Sequence, residues 1–122
     1  MNVAAAMRSL SCIVELHPTN PKALRLVGYY LMDWQRFEEA AQVFLRVLER
    51  RSFEPHAYRD LARALIKMNR FGLAAALYEI VLAGKWDRRF HSIGTVAREE
   101  YAFLMRPGVI NFNCVRQKTN FN

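Results

Sequence analysis

Pro21–Glu54 and Pro55–Arg88 align with each other without a gap at a constant offset of 34 residues. Ten positions are identical, among them Pro21/Pro55, Ala23/Ala57, Arg25/Arg59, Leu31/Leu65, Arg36/Arg70, Phe37/Phe71, Ala40/Ala74 and Val47/Val81. Others keep their character: Val27/Leu61, Gly28/Ala62, Met32/Ile66, Val43/Leu77 and Phe44/Tyr78. Two unrelated amphipathic helices would not match at one fixed offset. A period of this length therefore marks a repeated supersecondary unit, whose apolar face is covered only when neighbouring units stack.

Within each unit the apolar spacing is helical and runs in two blocks. Leu24, Val27, Gly28 and Leu31 follow i, i+3, i+4, i+7, as do Tyr58, Leu61, Ala62 and Leu65. The second block repeats the pattern from Phe37 through Ala40, Ala41 and Phe44, and again from Phe71 through Ala74, Ala75 and Tyr78. Asn20-Pro21 and Glu54-Pro55 read as an N-cap followed by proline in the first turn, where its missing N–H is harmless. The breaks at "DWQ" and "KMN" are long enough only for an antiparallel turn. Gly28 and Ala62 are expected to let the second helix approach the first, with Ala40 and Ala74 as small counterparts. Phe44 and Tyr78 are expected to fill the wider gap toward the next hairpin.

These residues resemble the tetratricopeptide repeat family, a 34-residue helix–turn–helix unit. The likeness is carried by Leu24, Val27, Gly28, Leu31, Ala40, Phe44 and Val47, and by Tyr58, Leu61, Ala62, Leu65, Ala74, Tyr78 and Val81. Two positions depart from it: the turn glycine is Gln35 or Asn69, and the closing proline is Ser52 or Trp86. The resemblance implies an all-α, right-handed solenoid of antiparallel helix hairpins, with about six helices here. Counting back one period puts Ala6, Leu10 and Ile13 at second-helix positions and Pro18 at the closing-proline position, so residues 1–19 read as a half repeat. Repeats follow at 21–54 and 55–88. The 34-residue frame then fails, and a closing helix is expected over 92–106, with Trp86 and Phe90 plugging the gap beneath it.

Beyond residue 106 the pattern changes. "VINFNCV" alternates like a short strand, and residues 107–122 read as an irregular tail or the start of a lost β-domain. "YRDLARAL" and "GKWDRRF" are similar to the helical-repeat segment of large bacterial proteins that also carry von Willebrand A-type domains. That likeness implies a piece of a larger multidomain protein with no independent function. The half repeat at the start implies either a truncated beginning or a face covered by another chain. Self-association is expected through the Leu10/Ile13 face of the exposed N-terminal helix.

Composition narrows the function. Hydrophobic residues make up 52% and charged residues 24%, neither a disordered nor a membrane composition. No apolar run approaches the ~20 residues that span a bilayer. The start lacks a basic residue before Arg8, and Arg8 and Glu15 interrupt its apolar run, which argues against a signal peptide. Cys12 and Cys114 define neither a metal site nor a disulfide framework, so a reducing, cytoplasmic setting is the default. His17, His56 and His91 show no ligand spacing. No Gly-rich phosphate loop, G-x-S-x-G or H-E-x-x-H is present. The adjacent pairs Glu38-Glu39 and Glu99-Glu100 point about 100° apart on helices and read as solvated faces. Neither an enzymatic activity nor a cofactor is expected.

The formal charge of +7 favours acidic partners. The family's groove positions, carried across, are Lys22, Arg25, Tyr29 and Met32 in one unit, and His56, Arg59, Arg63 and Lys67 in the next. Arg59, Arg63 and Lys67 follow i, i+4, i+8 and form a basic stripe, which Asp33 and Asp60 are too few to neutralise. Guanidinium forks suit carboxylates, so the expected ligand is an acidic or extended protein segment. The family's chaperone-tail clamp uses Lys and Asn where Arg25 and Tyr29 stand, so that partner is not implied. The rival reading is a helical-repeat RNA binder, for which Tyr29 alone offers a stacking side chain.

Overall fold

The computed structural model describes residues 3–16 and 19–106. The expected strand at 110–114, the tail, Cys114, His17 and Pro18 lie outside them. The described chain is all-helical: α1 (Val3–Leu16), α2 (Pro21–Asp33), α3 (Phe37–Arg50), α4 (Pro55–Lys67), α5 (Phe71–Ala83) and α6 (His91–Leu104). A single 3-10 turn, Arg88–Phe90, precedes α6.

The helix boundaries have local causes. Asn20 caps α2, its side-chain oxygen accepting from the backbone N–H groups of Lys22 and Ala23 at 3.1 and 3.3 Å, with Pro21 next. Glu54 occupies the same place before α4 but makes no cap; its carboxylate lies 3.5 Å from Arg51 instead. The two intra-unit turns are built alike. In the first, Gln35 N–H donates to the Met32 carbonyl and Arg36 N–H to the Leu31 carbonyl. In the second, Asn69 donates to Ile66 and Arg70 to Leu65. Both are Schellman endings, which need a left-handed residue, and Gln35 and Asn69 each have φ 60. The positions that depart from glycine in sequence thus keep glycine's conformation.

Each helix packs chiefly on its chain neighbours, in the order α1–α2, α2–α3, α3–α4, α4–α5 and α5–α6, giving a repeat-like arrangement. The contact between α4 and α6 skips one helix. Phe44 and Tyr78 are fully buried at equivalent places, each burial contributing roughly 1.5–3 kcal/mol. Gly28 serves Phe44 directly: a Cβ there would come within 3.0 Å of three atoms of that ring. The small residue therefore accommodates the large one of its own hairpin, as well as shortening the helix separation. A smaller cluster of Leu24, Val47 and Ala57 joins the two units, with Val14 of α1 against it.

Leu10 is buried and Ile13 half-buried, both packed on the main core. The α1 face expected to self-associate is therefore already occupied within the chain. At the other end Phe90 is buried and Trp86 half-buried. The Trp86 indole N–H donates to the Val81 carbonyl at 2.8 Å, and its ring lies 5.6 Å from that of Tyr58.

Candidate functional site

The eight residues expected on the groove separate into groups with different surroundings. Lys22 and Arg25, near the start of α2, share a polar recess of about 320 Å³ with Arg51, Glu54 and Arg89. Arg25 donates to the Tyr29 hydroxyl at 3.1 Å, and Tyr29 donates in turn to Asp60 Oδ2 at 2.8 Å. Arg25 Nε lies 3.9 Å from that same oxygen. Asp60, on α4, is only 3% exposed. Burial pushes its carboxyl above the ordinary aspartate range, while the Tyr29 hydrogen bond and the Arg25, Arg59 and Arg63 charges limit the rise. Arg25–Tyr29–Asp60 is thus a bridge that ties α2 to α4.

On α4 the basic stripe does not stand free. Arg59 donates through Nε and Nη2 to the two oxygens of Glu100 at 2.7 and 3.2 Å, a two-point fork. Arg63 Nε lies 3.9 Å from Glu100, and the Tyr78 hydroxyl reaches the same carboxylate at 3.4 Å. Glu100 is therefore not a solvated side chain but the counter-charge of the stripe, delivered by α6. His56 also leaves the cationic set. Its ring meets the Phe90 ring edge-on at 5.4 Å, and its buried Nδ1 has no hydrogen-bond partner among the described residues. Burial, helped by the Arg25 charge, lowers its pKa, so the neutral ring prevails at pH 7. Lys22 and Lys67 are exposed and form no ion pair among the described residues.

Two open sites share Arg63 of α4. Between α2 and α4 a recess of about 240 Å³ is lined by Tyr29, Met32, Asp33, Phe44, Asp60 and Arg63. Between α4, α5 and α6 a pocket of about 400 Å³ has Ile66, Phe71, Phe103 and Leu104 as apolar walls and Arg63 and Lys67 at its rim. Arg63 belongs to both. Of the expected residues, Tyr29, Met32, Arg63 and Lys67 thus line one continuous surface. Arg25 supports it through Tyr29, and Arg59 holds α6 beside it.

The closing helix is expected from the sequence, but Glu100 is read there as solvated and neither Phe103 nor Leu104 as part of a site, because α6 is out of frame. α2 and α4 start at Pro21 and Pro55, 34 apart, but α6 starts at His91, 36 after Pro55. Shifting the frame by two residues restores no identity between 55–68 and 91–104, so the repeat pattern alone does not mark these positions. Among the described residues no three His, Cys, Asp or Glu side chains come together to hold a metal ion, and no helix is long and apolar enough to cross a membrane. No protein-family model matches the chain, and no curated protein matches it.

Proposed function

We propose that this chain is a non-catalytic protein-interaction module, a right-handed helix-hairpin solenoid of the tetratricopeptide kind that takes an acidic or extended peptide on the surface of α2, α4 and α6. The observation that carries this reading is the α4–α6 pocket. It joins the apolar side chains of Ile66, Phe71, Phe103 and Leu104 to charged neighbours. Among these, Glu100 is engaged by Arg59 and Arg63, while Lys67 forms no ion pair among the described residues. Such a site seats one large apolar residue while a neighbouring carboxylate meets the rim. The contact order of the helices and the twin Schellman turns, 34 residues apart, support the solenoid reading.

Binding of fluorescent peptides with an acidic residue beside leucine or phenylalanine tests the module. Phe103→Asp should remove binding and Lys67→Glu should weaken it, both with the helical circular dichroism signal retained. Salt separates this from RNA recognition: peptide affinity should change little, whereas RNA contacts to several phosphates would lose about 10³–10⁵-fold between 50 and 200 mM salt. Tight, steeply salt-dependent binding of single-stranded RNA with no peptide binding would refute the proposal.

A further inference from the structure

The two open sites that share Arg63 are the same site written twice. Tyr29, Met32, Asp33 and Phe44 line the first, and Arg63, Ile66, Lys67 and Tyr78, each 34 residues later, line the second. The next helix supplies the far wall in both cases: Asp60 and Arg63 of α4 in the first, Glu99, Glu100, Phe103 and Leu104 of α6 in the second. Equivalent positions carry opposite charge, because Asp33 stands where Lys67 stands one unit on. Asp33 is exposed and forms no ion pair among the described residues, and the same holds for Lys67 and Glu99.

These charges impose an order across the surface. In the α2–α4 recess Asp60 is buried and engaged by Tyr29 and Arg25, and Arg63 stands on the α4 side, so the exposed Asp33 is the carboxylate that a cation entering from the α2 side meets. The α4 ridge that follows carries Arg63 and Lys67 and favours an anion. The α4–α6 pocket beyond it is apolar, and the exposed Glu99 on its far wall repels an acidic residue placed past it. Sites one hairpin apart are separated by about one helix spacing, ~10 Å. A peptide in the polyproline II conformation covers that in about three residues while keeping its first and fourth side chains on one face.

Resting on the peptide-module reading, we infer that the surface selects an extended segment in the order basic, acidic, large apolar, the first and last about three residues apart. The basic side chain enters the α2–α4 recess against Asp33. The acidic one lies over Arg63 and Lys67, and the apolar one fills the space between Ile66 and Phe103.

The test compares two peptides of one composition, Lys-Glu-Ala-Leu and Glu-Lys-Ala-Leu, each within the same uncharged flanks. The unaltered protein should prefer the first by about tenfold, two exposed charge pairs having turned from attraction to repulsion. The double variant Asp33→Lys/Lys67→Asp keeps the net charge and should reverse the ranking. Asp33→Ala/Lys67→Ala should abolish it, which keeps the test decisive if the charge swap impairs folding. Phe103→Ala, which adds no charge, should weaken both peptides equally. Binding of both peptides with no ranking, or a ranking untouched by the substitutions, would overturn the charge order while leaving the module intact. Failure of both peptides and of every other acidic peptide to bind would overturn the module as well.

Discussion

Gln35 and Asn69 sit at one position of the repeat with one backbone conformation, φ 60, but they do not bear it equally. The left-handed region brings Cβ against the following carbonyl, at a cost of roughly 1–2 kcal/mol for an ordinary residue. Asparagine tolerates it better, because its short amide can bond locally. Glycine has no such clash, although its looser unfolded state offsets part of the gain. Gln35→Gly should therefore stabilise the protein by about 0.5–1 kcal/mol, and Asn69→Gly by less. Urea unfolding midpoints check the order; equal or inverted gains would show that the two turns are strained alike. Gly28 is the converse case, a glycine retained for space in an ordinary helix.

Among the elements, α6 has the most to explain. It packs on α5 and reaches α4, to which Glu100 ties it through Arg59. With only 21% and 28% of the Arg59 and Glu100 side chains exposed, the pair is shielded from much of the solvent that weakens surface ion pairs. Glu100→Gln removes the charge but keeps the shape, leaving a half-buried guanidinium with a poorer acceptor. We expect a loss of about 1.5–3 kcal/mol by thermal or urea unfolding. The wall that carries Phe103 and Leu104 should loosen with it, so peptide affinity should fall although Glu100 itself need not touch the ligand. The short 3-10 turn explains why α6 is out of frame: Asp87 accepts from the Arg89 N–H at 3.0 Å and re-aims the chain before α6 begins.

For the whole molecule, packing between chain neighbours has a kinetic consequence. When each helix leans mainly on the next, stability is close to a sum of local terms, and the ends open without the middle. α1 rests on α2 more sparsely than any later helix rests on its predecessor. Amide hydrogen exchange should therefore run fastest in α1 and slowest in α4 and α5, whose packed faces are covered on both sides. Uniform protection across all six helices would show a single cooperative unit instead.

The helices, their turns and the inward faces of α2 to α5 were legible in the chain because they depend on local spacing: periodicity, a cap at Asn20, and small residues such as Gly28 at a fixed offset. The same period announced which positions would share an environment, Phe44 with Tyr78 and Gln35 with Asn69. Pairing across elements was not legible. Arg59 with Glu100 spans 41 residues and Tyr29 with Asp60 spans 31, and no local rule relates them. A row of cations on one helix specifies a basic stripe only until another helix brings a carboxylate against it. Tertiary packing alone decided that Arg59 is spent on α6, that the His56 ring meets Phe90 edge-on, and that Lys67 lines a pocket without an ion-pair partner among the described residues. Charges act through space, so which of them remains available is set by where the chain returns.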